Sequence, residues 1–283
     1  MGKVAIVTGG AAGIGLALGT AMFRRGDVVV LADIDGAGAE REATRLTGKG
    51  PGVAQAAHLD VRDAAAVADL VHRTADEHGR LDIMVNNAGI GVGGELQELT
   101  VAHWDRVIDV NLRGVVHGVM AAYPLMIAQR SGHIVNTASL AGLVPFGLLT
   151  PYVTTKHAVV GLSLALRQEA APKGVRVTVA CPGFTDTAIL DKGGPEDLPQ
   201  ARLAGHVRML AERQTGGLYD VERLARDILR GVDRNEAMVV APASARATWR
   251  LQRLSPPVVG RVAARQIAWA RRLTETRPDE PGS

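Results

Sequence analysis

Seven short apolar runs recur along this chain, with helically spaced stretches between them. The runs are Lys3–Thr8, Val28–Ala32, Val53–Leu59, Ile83–Asn86, His133–Thr137, Val175–Ala180 and Met238–Ala241. They are continuously apolar instead of alternating, so both faces of each strand must be covered. The intervening stretches are Ile14–Arg25, Ala37–Leu46, Ala64–Glu77, Trp104–Gln129, Tyr152–Ala171 and Val221–Val232. Strands joined through helices pair in parallel by right-handed crossovers. The expected fold is α/β, a Rossmann-type doubly wound parallel sheet of about seven strands. The 283 residues fit one such domain, and no internal repeat suggests a solenoid. Residues 1–243 form the expected domain. Residues 186–219, rich in Gly, Pro and mixed charge, are too long for a simple connection and are expected to form a lid over the site.

Composition narrows the function. One cysteine, Cys181, allows no intramolecular disulfide and no structural zinc cluster, and points to a reducing cytoplasm. Aromatic residues make up only 3%, which argues against a single-strand nucleic-acid binder. No run of apolar residues is long enough for a transmembrane helix, and the chain enters a strand-like run at once, without a signal-peptide pattern. The net charge of +3 is unevenly placed: residues 244–283 hold eight arginines against three acids, leaving the rest slightly acidic.

The first run ends in Thr8-Gly9-Gly10-Ala11-Ala12-Gly13-Ile14-Gly15, and a helix follows. Glycines at 9, 13 and 15 permit a sharp turn and a close backbone approach to a pyrophosphate, which the unpaired N–H groups of the helix start would hold. Asp33 closes the second run, at the position where a carboxylate accepts hydrogen bonds from an adenosine ribose and repels a 2′-phosphate. No Lys or Arg stands in the loop or beside Asp33, so NAD is expected over NADP. Asp35 is the better candidate for capping the next helix.

Tyr152 and Lys156 share a helix face at i, i+4, where an ammonium can acidify a phenol for proton transfer. Ser139 follows the strand His133–Thr137, and Asn87-Ala88-Gly89 follows Ile83–Asn86. Both lie at strand carboxyl ends, where open α/β sheets place their sites.

Taken in order, these residues resemble the short-chain dehydrogenase/reductase family: Thr8 to Gly15, Asp33, Asp60-Val61, Asn86-Asn87-Ala88-Gly89, Asn111, Ser139, Tyr152, Lys156, and Pro182-Gly183 with Thr187. The resemblance spans residues 3–187, continuing more loosely to about 241. It implies a nicotinamide cofactor held by Gly9, Ala12, Gly13, Ile14, Gly15, Asp33, Asp60, Val61, Asn87, Ala88, Gly89, Val110, Tyr152, Lys156, Pro182, Gly183, Thr185 and Thr187. It also implies that Tyr152 exchanges a proton with the substrate oxygen while Ser139 orients that oxygen. Lys156 would hold the nicotinamide ribose and lower the Tyr152 pKa, and Asn111 would support a water beside the lysine. No metal is required. Family members are commonly tetramers, so a homo-oligomer, tetramer or dimer, is expected.

Substrate contacts are expected from Ser139, Leu140, Ala141, Phe146, Tyr152, Phe184 and Ile189, a mostly apolar set without an Arg or Lys clamp. This suggests an apolar secondary alcohol or ketone. Rival readings are a non-catalytic NAD(H)-binding regulatory or scaffold protein and an NAD-linked epimerase or dehydratase. In the Arg-rich extension 244–283, Pro256-Pro257 divides two short helices. Val258, Val262, Trp269 and Leu273 share a face of the second. Packing of that face on the protein's own body or a neighbouring subunit is favoured over a membrane surface.

Overall fold

The computed structural model describes residues 2–202, 206–215 and 217–275. Its centre is a seven-stranded, wholly parallel sheet. The strands are β1 (Val4–Thr8), β2 (Val28–Asp33), β3 (Val53–His58), β4 (Ile83–Asn86), β5 (His133–Thr137), β6 (Arg176–Pro182) and β7 (Met238–Ala241). Their spatial order, β3-β2-β1-β4-β5-β6-β7, reverses direction between β1 and β4. A doubly wound sheet opens its binding crevice at that switch point, beyond the strand carboxyl ends.

One face of the sheet is covered by α1 (Gly13–Arg24), α2 (Gly36–Leu46) and α8 (Val221–Asp233). The other is covered by α3 (Ala64–His78), α5 (Gly114–Gln129) and α6 (Thr150–Ala170). Local chemistry sets the helix ends. Asp35 accepts from the Gly38 amide at 2.8 Å and starts α2, as expected. Asp63 accepts from the Ala65 and Ala66 amides to start α3. Gly79 ends α3 in the left-handed region at φ 74°.

Three stretches differ from the sequence expectation. The single helix expected over Trp104–Gln129 is α4 (Val101–Ile108), a π-helical turn at Asp109–Arg113, and then α5. One extra residue in the turn lets the axis continue while shifting Asn111 relative to its neighbours. In the insertion, where the sequence suggests a helical patch near Ala201–Arg213, the described α-helix is α7 (Val207–Thr215). The extension forms α9 (Ala243–Leu254) and α10 (Pro256–Glu275). The second is 20 residues long because Pro256 opens the helix, where its missing N–H costs nothing. The packed face of α10 carries Val259, Ala263, Ile267 and Ala270, whereas Val258 and Val262 are exposed; the side chain of Leu273 lies outside the described set. Among the described residues, no helix is long and apolar enough to cross a membrane.

Candidate active site

The glycine turn is built from backbone that side chains would obstruct. Gly9 and Gly13 adopt φ values of +67° and +53°, and a Cβ on Gly15 would overlap the Gly9 carbonyl oxygen. Ala12 precedes α1 and supplies no capping side chain, so among the described residues the first-turn amides of Gly13, Ile14 and Gly15 receive no side-chain cap from the N-cap position. The first turn also carries no acid. These features fit a pyrophosphate. Asp33 ties the turn to the end of β2: its carboxylate accepts from the Ala11 amide at 3.0 Å and the Asp35 amide at 3.0 Å. Each oxygen keeps a lone pair for a ribose hydroxyl.

The end of β4 is joined to the same turn through Thr8. The Thr8 hydroxyl accepts from the amides of Asn87 and Ala88 and donates to the Val85 carbonyl. Asn87 Nδ2 donates to the Thr8 carbonyl at 3.0 Å. A Cβ on Gly89 would lie 3.2 Å from Asn111 Oδ1 and 3.5 Å from Lys156 Nζ, so the glycine lets these groups converge. Asn111 is fully buried. Its amide brackets Ile90, accepting from the Ile90 N–H at 2.8 Å and donating to its carbonyl at 3.0 Å. Val61 is buried, and its carbonyl lies 2.9 Å from His117 Nδ1. Asp60 makes a bidentate pair with Arg62 that lowers its pKa. Val110 stands in the π turn beside Asn111.

The candidate proton-transfer residues lie between the ends of β5 and β6 and the start of α6. Lys156 is buried and donates from Nζ to the Thr137 carbonyl at 2.9 Å; burial draws its pKa down to about 8. Its ammonium stands 5.5 Å from the centre of the Tyr152 ring. The expected acidification of Tyr152 is outweighed here: burial raises the phenol pKa, and a hydrogen bond with Ser139 opposes that rise. One N–H of the Lys156 ammonium donates to the Thr137 carbonyl, and the charge stands to the side of the phenol ring. Ser139 Oγ also accepts from the Ala141 amide at 3.1 Å. Cys181 is buried, which pushes its thiol up to about 12 and leaves it unreactive.

After β6, the chain turns back towards the phosphate loop. Gly183 donates to the Ala241 carbonyl, Thr185 Oγ1 donates to the Gly183 carbonyl, and the Thr187 methyl lies 3.3 Å from where a Gly13 Cβ would be. Pro182, the last residue of β6, starts this return. Among the proposed substrate contacts, Phe146 and Phe184 meet edge to face at 5.7 Å. Ile189 faces the loop after β4, 3.7 Å from where a Gly91 Cβ would be. Leu140 and Ala141 instead lie buried in a short 3₁₀ turn, with Leu140 packed in the core.

A buried relay beneath the site has no counterpart in the sequence reading. Asn86 donates to Asn136 at 2.9 Å, Asn136 to Ser163 at 3.0 Å, and Ser163 to the Val159 carbonyl at 2.6 Å. Asn86 and Asn136 are register partners in β4 and β5. The available signal was an asparagine near the end of each of two neighbouring strands, Asn86 in β4 and Asn136 in β5.

The sequence pattern of the short chain dehydrogenase family matches residues 3–197, and this chain belongs to that family. The "Probable oxidoreductase EphD" of Mycobacterium tuberculosis is 34% identical over 268 residues, covering 92% of this chain but 44% of that protein. The chain thus spans less than half the length of these curated relatives. A short chain dehydrogenase/reductase from Burkholderia phymatum, solved with NAD, superposes with a TM-score of 0.82 at 29% identity, covering 100% of this chain and 98% of that one. A short-chain dehydrogenase from Sphingobium yanoikuyae, solved with NADPH, gives 0.74 at 25% identity, covering 99% and 98%.

Proposed function

We propose that the protein is an NAD-preferring oxidoreductase that interconverts an apolar secondary alcohol and its ketone. The observation that carries this reading is the convergence of Tyr152, Ser139 and Lys156 at the strand ends beside a turn suited to a pyrophosphate. A bound nicotinamide would accept or donate the hydride. The chain's own residues manage the oxygen. The Tyr152 hydroxyl gives its proton to a ketone oxygen, or takes one from an alcohol. Ser139 donates to the same oxygen and holds it against Tyr152. Lys156 supplies positive charge behind the ring. Asp33 would accept from the ribose and disfavour a 2′-phosphate, which supports NAD; of the two solved relatives, one was solved with NAD and the other with NADPH. We read residues 186–219 as a lid; within the described part of that segment, Arg208 pairs with Asp186 and Asp191 and donates to the Thr187 carbonyl.

Tyr152→Phe tests the assignment. Loss of the acid should lower kcat by about a thousandfold, while NADH titrated by fluorescence binds within about twofold of wild type. A variant that keeps its turnover ends the proton-transfer reading, and a protein indifferent in both assays is a scaffold. Higher kcat/KM with NADP than with NAD would overturn the Asp33 argument.

A further inference from the structure

The C-terminal helix α10 takes no part in the proposed chemistry, yet it touches three separate segments around the cleft. Arg271 makes a bidentate pair with Glu95, with Nε to Oε1 at 2.5 Å and Nη2 to Oε2 at 3.0 Å. Glu95 lies in the loop after β4, and its side chain is only 18% exposed. Ile267 occupies the space beside Gly147, where any Cβ would overlap it; Gly147 adjoins Phe146 in the loop after Ser139. Trp269 receives the Arg213 guanidinium of α7 at 4.1 Å from its ring centre.

The same three segments also meet one another. The Gly94 amide donates to the Leu148 carbonyl at 2.8 Å. A Cβ on Gly93 would lie 3.4 Å from Leu149 Cδ2 and 3.5 Å from Val207 Cγ2. Loop 90–95, loop 143–149 and α7 therefore form one rim, and α10 contacts all three. The helix is seated firmly, with Val259 and Ala270 buried, and α9 leads into it directly from β7.

We infer that α10 is a clamp on the mouth of the substrate cleft, in which Ile267 and the Arg271–Glu95 pair set how bulky an alcohol or ketone can enter. This rests on the reading of that cleft as the place where Tyr152 meets its substrate. Each contact is weak alone. Together they resist opening, because widening the mouth must separate α10 from more than one segment of the rim. Bulk is the property selected: Ile267 fills the rim beside Gly147 with an aliphatic side chain and offers no polar group to a ligand.

Arg271→Glu, at an exposed position, sets two carboxylates against each other. Glu95→Arg combined with Arg271→Glu rebuilds the pair reversed. In the single variant, amides in 90–95 and 143–149 should exchange hydrogen about fivefold faster. Its kcat/KM for 2-decalone relative to 2-butanone, measured with NADH, should rise about fivefold. The double variant should return both readings towards wild type. Unchanged exchange in the single variant overturns the clamp, and changed exchange with an unchanged ratio overturns its control of size. If wild type binds NADH but reduces neither ketone, the proposed reaction fails, while exchange still decides whether α10 clamps the rim.

Discussion

On the side of the cleft formed by β1, β2 and β4, backbone groups and buried side chains fix the candidate site residues. Thr8 serves three backbone partners, Asn111 holds Ile90 from both ends, and Asp33 holds Ala11. On the opposite side, the mouth is joined largely by side chains that reach solvent: Arg106 to Asp197 and Arg208 to Asp191. The physics of change differs accordingly. Removing one partner from the buried set leaves a polar atom with nothing to bond, at about 1–3 kcal/mol each. Removing one partner from an exposed ion pair returns the other to water at little cost. Under the proposed function, a scaffold built this way could alter what it admits without disturbing how it would hold a cofactor.

The strongest attack on this contrast uses two glycines. A Cβ at Gly15 would overlap the Gly9 carbonyl oxygen and come within 2.7 Å of Asn87 Nδ2, whereas one at Gly161 on α6 meets nothing within 4 Å. Gly15→Ala should weaken NAD binding by about a hundredfold and lower stability by about 1–3 kcal/mol. Gly161→Ala should leave binding unchanged and add up to about 1 kcal/mol through helix propensity. Calorimetry of both variants with and without NAD checks this. Equal NAD affinity in the two would show that the turn yields as readily as an open helix face, and the contrast would break.

The two sides were also unequally legible in the sequence. β4, β5 and β7 begin and end where their apolar runs do, because a fully covered strand needs an unbroken run. Thr8 to Gly15, Asp33, Tyr152 and Lys156 declare themselves by short spacing along the chain. The π turn at Asp109–Arg113 was invisible, since one extra residue hardly disturbs an apolar period. The Asn86–Asn136–Ser163 relay joins residues distant in sequence, and only the strand register brings them together. In α10, alanines at 263 and 270 supply the packed face, and small residues weigh little in a pattern built on valine and tryptophan. The closeness of Ile267 to Gly147 depends on tertiary packing and leaves no local trace.

A second prediction tests the cost of buried polar groups away from the cleft. His133, at the start of β5, is 6% exposed, and its Nε2 lies 2.8 Å from Thr178 Oγ1. Burial, helped by the nearby charges of Arg176, Lys3 and Arg167, draws its pKa down to about 3. The unfolded chain takes up this proton near the ordinary value of about 6.5, so between these limits it binds more protons than the native state. Stability must therefore fall as pH drops from about 6.5 towards 3. His133→Gln keeps a donor for Thr178 and removes the titration. Its Tm should consequently fall less than that of wild type between pH 7 and pH 4, and parallel declines would show that His133 is not held neutral by the fold.

The smallest effect is expected at the mouth itself. Arg106 on α4 reaches Asp197 at 2.7 Å, but the two side chains are 30% and 62% exposed, so water competes for both charges. Asp197 is held below the usual carboxylate range chiefly by its hydrogen bond to Arg106, an interaction that salt screens readily. Arg106→Ala should shift Tm by no more than about 2 °C, and half-molar sodium chloride should erase most of that difference. NAD affinity should stay at the wild-type value, because Arg106 contacts neither the glycine turn nor Asp33. A loss above about 5 °C that persists in salt would mean that residues near 197 are bound into the core through this arginine. The mouth would then resemble the cofactor side, and its freedom to vary would disappear.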